Sequence, residues 1–508
     1  MSVDLTVATD AGLVRGVLAK GLPTWRGIPY AAPPVGELRL RAPQPVAPWP
    51  GLHDACDWGN GSVQDPRALF IRPGKKQLPS EDCLTLNIQA PPVPGEKRPV
   101  MVFIHGGAYL LGSSSMGLYD GRRLVRRGDI VYVSINYRLG ALGYLDFTSF
   151  STAERPFDSN LGLRDQVAAL EWVQRNIAAF GGDPDNVTIF GESAGGSAVV
   201  ALMATPAAKG LFARSIAESP AVDLVSSPAQ ADTFARDFVT LLGTDPTDTA
   251  AAVTALTTAT PAELWQASRR VTGKTMSTQP GLSPFAPTVD GDFLPVHPVD
   301  AFTTGSVHQV PLIIGSNKRE GTLFPKLLDA LPSDARRIEL YFQATDPEAM
   351  ERILAHYPGY PARNAAIDFG GDSILWAPTV ELAQAYCSIA PTYMYRFDYS
   401  PRAMKWLGLE ATHAFELLAV FGYGAGAVGR ALTLPGGKRS MRAVTDTVQR
   451  EWLSFARTGK PTAAWPAYDT AFRTTLIIDD PSYLAHDPLR PRRLAWAGYS
   501  AYRNLPAH

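Results

Sequence analysis

A serine sits between two glycines in Gly191-Glu192-Ser193-Ala194-Gly195, directly after the strand-like run Val187-Thr188-Ile189-Phe190. This G-x-S-x-G spacing suits a strand that turns abruptly into a helix and holds the serine hydroxyl above the sheet in strained geometry. A β-carbon at either glycine would collide with the neighbouring strand or with the helix, which Gly195 to Met203 is expected to form. The chemistry such a serine can do is nucleophilic attack on an acyl carbon. The pattern alone also describes an ordinary glycine turn, so its weight comes from the strand before it and the helix after it.

Acyl attack creates a tetrahedral oxyanion that needs hydrogen-bond donors. Val102-Phe103-Ile104-His105-Gly106-Gly107-Ala108-Tyr109 supplies a His-Gly-Gly-small loop at the end of a strand. Small residues let backbone N–H groups approach the developing charge, and loss of one such donor typically costs roughly 10²–10³ in rate. The expected donors are the N–H groups of Gly107, Ala108 and Ala194.

A serine hydroxyl also needs a histidine to take its proton and a carboxylate to orient that histidine. With the order serine, acid, histidine along the chain, His53 and His105 fall out, and His105 reads as a structural part of the glycine loop. His508 is terminal, His486 lies in a polar tail, His297 and His308 precede the best acid, and His356 lies in an exposed-looking helix. Elimination leaves His413, in Glu410-Ala411-Thr412-His413-Ala414-Phe415-Glu416. For the acid, Glu320 follows the apolar run Leu312-Ile313-Ile314-Gly315, and loops at the carboxyl ends of strands are where such a sheet gathers its chemistry. Asp398, after Tyr395-Arg396-Phe397, is an open rival.

The elements that would carry these residues recur as short apolar runs: Val100 to Ile104, Ile130 to Ile135, Val187 to Phe190, Ser215 to Ala217, Leu312 to Gly315 and Thr392 to Phe397. Apolar on both faces, they suit interior strands of a largely parallel sheet. Between two of them, Leu163, Val167, Leu170, Val173 and Ile177 are spaced for a helix that Asn160 can cap and Gly181-Gly182-Asp183-Pro184 ends. The strand–helix alternation is that of an α/β fold. Ala/Leu-rich segments near 229–270 and 322–356 read as helical insertions above the sheet.

Bulk properties narrow the function. The 508 residues carry a formal charge of −1, so no basic surface for nucleic acid is indicated. No apolar run is long enough to span a bilayer, and the N-terminus lacks a signal-peptide core. Three cysteines, Cys56, Cys83 and Cys387, are too few for a disulfide scaffold and suit a reducing, cytoplasmic setting, with a single Cys56–Cys83 bridge left open. No Cys/His cluster suggests a metal, and no cofactor is implied.

Taken together the motifs resemble the type-B carboxylesterase family, which includes para-nitrobenzyl-esterase-like enzymes and the cholinesterases. The resemblance runs through Trp25-Arg26-Gly27-Ile28-Pro29-Tyr30-Ala31, Ser80-Glu81-Asp82-Cys83-Leu84-Thr85-Leu86-Asn87, Asn136-Tyr137-Arg138-Leu139-Gly140 and Gly181-Gly182-Asp183-Pro184. It implies an α/β-hydrolase fold, with a large mostly parallel central sheet flanked by helices. The chain 1–508 is then expected to be one domain, with pocket-forming insertions near 55–80, 222–300 and 322–385. It also implies Ser193 as nucleophile, Glu320 as acid and His413 as base, with Gly107, Ala108 and Ala194 as the oxyanion hole. Glu192, Ser219 and Glu416 match the family's supporting polar residues. The implied activity is serine ester hydrolysis of a small-molecule substrate by a monomer or weak homodimer.

Two departures stand out. Cys56 is several residues early for the family's disulfide partner of Cys83, and Ser62 lies nearer that position. Segment 62–79 lacks the tryptophan with which cholinesterases hold a quaternary ammonium, whereas Leu110-Leu111 suggest an apolar pocket wall. A catalytically weak, cholinesterase-like binding protein is the main alternative, but the serine and both partners are retained. A nucleotide-binding oxidoreductase is another, from Gly424-Ala425-Gly426-Ala427-Val428-Gly429 after the apolar run Leu417 to Phe421. There, Pro435-Gly436-Gly437 would stop the required helix too soon.

Overall fold

Runs that are apolar on both faces become buried strands. The computed structural model describes residues 4–65, 78–93, 97–327, 330–423, 427–434 and 436–503. They group into two compact units, Met1–Arg214 with Val225–Thr272 and Pro284–Val296, and Ser215–Leu224 with Gly273–Ser283 and His297–His508.

In the first unit the strands run in the order Val17–Ala19, Leu22–Pro29, Thr85–Gln89, Val131–Ile135, Arg98–Ile104 and Gly182–Glu192. The early neighbours pair antiparallel. The last three pair parallel, with Val133 opposite Val102 and Ile189 opposite Val102 on its other side. All seven residues of Arg98–Ile104 except Arg98 are buried. The helix Leu161–Asn176 buries Leu163, Val167, Leu170 and Val173, the stripe expected from their spacing. It tightens into a 3₁₀ turn, Ile177–Phe180, and ends at Gly181 in the left-handed region (φ 83°).

Asn160 precedes that helix but does not cap it with its side chain. Its amide instead donates to Thr288 O at 2.8 Å and to Asp290 Oδ2, and accepts from Thr288 N, tying the helix start to a distant loop. Arg138 and Asp165 form a buried pair nearby. Asp165 accepts from the Arg138 backbone N–H (3.0 Å), Nε (2.8 Å) and Nη2 (2.7 Å).

The second unit holds the strand Arg214–Glu218 from Ser215 onward, with Leu312–Asn317, Thr392–Phe397 and Thr474–Ile478 in parallel, then Tyr483–His486 antiparallel. His486, in the polar tail, closes this last strand and is bonded at Nδ1 to Thr474 Oγ1. The long helix Lys438–Thr458 buries Met441, Val444, Val448, Trp452 and Phe455 and stops at Gly459.

The Leu417 to Phe421 run is not the strand that a dinucleotide loop requires: Leu417–Val420 is helical, and the next helix, Ala427–Leu432, has six residues. Gly424 to Gly426, His508 and most of segment 62–79 lie outside the described residues. All three cysteines are free thiols, and burial pushes Cys83 up to about 12. Among the described residues no helix is long and apolar enough to cross a membrane, and no cluster of three or more His, Cys, Asp or Glu could hold a metal.

Candidate active site

Parallel neighbours bring their carboxyl ends to one edge, and in the first unit two of those ends carry candidate residues. Strand Arg98–Ile104 runs into His105-Gly106-Gly107-Ala108, and its partner Gly182–Glu192 runs into Ser193. Ser193 has φ 59° and ψ −126°, a conformation that favours glycine and costs a side-chain-bearing residue about 1–3 kcal/mol. The helix Ala194–Met203 starts at the next residue. The glycines are required by distance. A Cβ on Gly195 would lie 2.1 Å from Ile104 O, and one on Gly191 would lie 2.6 Å from Gly195 C. One on Gly106 would lie 2.5 Å from Glu192 O and 3.1 Å from Ser193 Cβ, so the glycine loop passes directly against the serine.

The loop is held in an unusual conformation. Gly107 (φ 119°), Ala108 (φ 55°) and Tyr109 (φ 57°) all have positive φ. Leu110 N and Leu111 N both donate to Gly107 O at 3.0 Å, which fixes the carbonyl. Below it His105 is buried, bonded through Nδ1 to Gly106 O at 2.9 Å and stacked on Tyr137 at 4.5 Å. Burial lowers its pKa to about 4, so it is neutral and structural. Ala194 stands at the positive end of a ten-residue helix, where N–H groups and the helix dipole favour negative charge. Glu192 is buried, with Oε2 3.2 Å from the position a Gly106 Cβ would take.

The second unit assembles the other candidates. Leu312–Asn317 ends three residues before Glu320, and Arg214–Glu218 ends one residue before Ser219. The His413 loop is stitched to the Glu320 loop by Arg319 N to Ala411 O (3.0 Å) and by Thr322 Oγ1 to Thr412 Oγ1 (2.7 Å). His413 Nδ1 lies 2.7 Å from Glu320 Oε2, with Glu320 2% and His413 7% exposed. The Phe324 ring packs 5.1 Å from the imidazole. The rival acid is engaged elsewhere: both Asp398 oxygens accept from Arg396, at 2.6 and 2.7 Å, and Lys318 lies 3.5 Å away. Lys318 and Arg319 do not pair with Glu320, since Arg319 binds Asp368 and Glu410.

Behind this pair, Ser219 Oγ is 2.7 Å from Glu320 Oε1 and 3.0 Å from Glu416 Oε1. A hydroxyl has one proton, so it can donate to only one of the two carboxyl groups. The arrangement closes if Glu416 is protonated and donates to Ser219, which then donates to Glu320. Burial, and next the charge of Glu320, do push Glu416 up to about 7. Asn317, which sequence reasoning did not single out, donates from its backbone to Glu320 Oε1 and from Nδ2 to Glu416 Oε2. Its signal was an amide just past the apolar run Leu312 to Gly315, expensive to bury without partners.

The raised Glu416 pKa has a consequence for stability. The folded state keeps this proton between 4.5 and about 7, where the unfolded chain has released it. Folded protein therefore binds more protons in that window, and its stability falls as pH rises through it. Glu416→Gln removes the titration, so its melting temperature gains on the wild type from pH 4.5 to 7. Parallel melting-temperature curves for the two proteins would contradict this.

A serine on a strained strand-to-helix turn, a glycine-rich loop against it, and a buried carboxylate–histidine pair are the equipment of a serine hydrolase with an α/β-hydrolase fold. The chain belongs to the carboxylesterase family, whose model matches residues 3–495, and it is a serine carboxylesterase. Over 501 residues it is 38% identical to the para-nitrobenzyl esterase of Bacillus subtilis (strain 168), covering 96% of this chain and 97% of that protein. A solved structure of a PNB esterase superposes with a TM-score of 0.86 at 36% identity, covering 96% of this chain and 99% of that one. A Geobacillus stearothermophilus carboxylesterase gives 0.81 at 35% identity, covering 97% and 100%.

Proposed function

We propose that the chain hydrolyses small to medium apolar carboxylic esters through an acyl-enzyme, with Ser193 as nucleophile, His413 as general base and Glu320 as the orienting acid. The observation that carries this reading is the buried 2.7 Å contact between His413 Nδ1 and Glu320 Oε2. A carboxylate at Nδ1 keeps the proton there, which leaves Nε2 as the basic nitrogen and stabilises the imidazolium once it forms. Nε2 takes the Ser193 proton as Oγ bonds to the ester carbon. The carbonyl oxygen becomes an oxyanion held by the N–H groups of Gly107, Ala108 and Ala194. As the alcohol leaves it receives the proton from Nε2. Water then attacks the acyl group, its proton passing to His413 and on to Ser193 Oγ, and the carboxylic acid departs.

Glu192, Ser219, Glu416 and Asn317 support the geometry: the chain from Glu416 through Ser219, with the Asn317 backbone N–H, gives Glu320 Oε1 two hydrogen bonds and fixes its rotamer. Leu110 and Leu111 beside the glycine loop favour apolar acyl or alcohol groups. The names of the relatives, para-nitrobenzyl esterase and carboxylesterase, agree with ester substrates.

The test is a comparison of two isosteric changes. Glu320→Gln misorients the imidazole and is expected to lower kcat on a nitrophenyl ester by about 10³–10⁴-fold. Asp398→Asn, which disturbs the ion pairs with Arg396 and Lys318 but nothing that touches His413, should leave kcat within a few-fold of wild type. Equal losses would show that the acid has been misassigned.

A further inference from the structure

Three large apolar side chains stand in solvent in one region of the second unit: Trp406 is 74% exposed, Leu407 57% and Leu434 84%. Soluble proteins rarely leave large apolar side chains grouped in this way without a use for them. Trp406 and Leu407 close the short helix Arg402–Trp406. Arg402, one turn back on the same face as Trp406, has its guanidinium 3.7 Å from where a Gly436 Cβ would lie, and Tyr399 Oη donates to Gly437 O at 3.1 Å. The Trp406 helix and the segment carrying Leu434 are therefore neighbours.

Cations predominate among the charges around this patch, although Asp479 and Asp480 lie near Tyr399. Lys405, Arg430, Lys438 and Arg439 are all exposed, and exposed Lys326 reaches Leu407 O at 2.7 Å. The acids of the same stretch are engaged within the fold. Asp398 accepts from Arg396, Glu410 pairs with Arg319, and Glu416 is buried in the Ser219 network. The result is a tryptophan and two leucines projecting from a cationic rim, on a chain whose total charge is only −1.

We propose that this patch is a docking surface for an anionic lipid interface, on which the protein adsorbs peripherally through Trp406, Leu407 and Leu434. An indole is at home at headgroup depth, aliphatic side chains reach the acyl boundary, and lysine or arginine near the surface meets anionic headgroups. Neither component suffices alone: the apolar area is small, and the cations are few. The patch lies just before the loop that carries His413, so adsorption would bring that part of the chain close to apolar esters dissolved in the lipid. The adsorption itself does not rest on the catalytic reading.

The test is co-sedimentation with vesicles of phosphatidylcholine alone or with 30% phosphatidylglycerol (a composition we choose), using wild type, Trp406→Ser/Leu407→Ser and Lys405→Gln/Lys438→Gln/Arg439→Gln. The Ser193→Ala protein is run beside them, so that loss of catalysis and loss of adsorption are read separately. The wild type and Ser193→Ala should bind the anionic vesicles alike, with binding that weakens as salt is raised. Both patch variants should lose about tenfold or more in partition coefficient while turning over a water-soluble ester normally. Equal binding to both vesicle types, undiminished binding of the serine double variant, or failure of the wild type to bind anionic vesicles would each overturn the proposal. Failure of the wild type combined with capture by a soluble acidic polypeptide would reassign the patch to a protein partner.

Discussion

His413→Ala is expected to lose about 10⁴- to 10⁶-fold in kcat on a nitrophenyl ester, with KM changed little. Without the imidazole nothing takes the Ser193 proton, and a neutral hydroxyl is a poor nucleophile near pH 7. The residual rate comes from the oxyanion donors and from substrate positioning. The change also leaves Glu320 facing a void, but its bonds from Ser219 Oγ and from the Asn317 backbone remain. Folding should therefore survive, and a melting curve recorded beside the kinetics checks it. A folded His413→Ala protein retaining a tenth of wild-type kcat would exclude His413 as the base.

The largest effect on stability is expected at the buried Arg138–Asp165 pair. Asp165→Ala removes the only carboxylate that the buried Arg138 guanidinium contacts among the described residues, where Asp165 itself is 0% exposed. Breaking a buried pair by deleting one partner leaves a desolvated charge behind and costs about 3–5 kcal/mol. The Arg138 backbone N–H loses its acceptor as well. Arg138→Met combined with Asp165→Leu should recover much of that loss, because removing both charges removes the desolvation problem. Denaturant unfolding of the two variants measures both quantities. A double variant no better than Asp165→Ala would mean that geometry, rather than charge burial, sets the cost.

The parallel strands were legible because their residues are apolar on both faces, as at Val100 to Ile104 and Leu312 to Gly315. Strands that break this rule were not. Leu22–Pro29 contains two prolines and a glycine, and Thr85–Gln89 buries Asn87, which donates to Ser114 and Ser134. Thr474–Ile478 opens with two buried threonines, which shorten its apolar run to three residues. Local composition does not reveal that a polar side chain has a buried partner far along the chain.

The same limit applies at the site. The glycine–serine turn could be read because its constraint is local: Gly191 and Gly195 are needed by atoms within the motif and on the adjacent strand. His413 and Glu320 are 93 residues apart and could be paired only by elimination and family resemblance. Asn317 escaped notice because its partners, Ser219 and Glu416, lie 98 and 99 residues away in sequence. Asn160 was misread for the complementary reason: a local capping rule gave way to tertiary bonds to Thr288 and Asp290.

The most direct test of the central claim is to trap the covalent step. Protein treated with a nitrophenyl phosphate triester, which phosphorylates activated serines without turning over, is digested and its adducts are located by tandem mass spectrometry. We expect one phosphoryl group per chain, on Ser193, released nitrophenol equal to protein, and neither signal in Ser193→Ala. An adduct on another residue, or undiminished ester turnover by Ser193→Ala, would contradict the account.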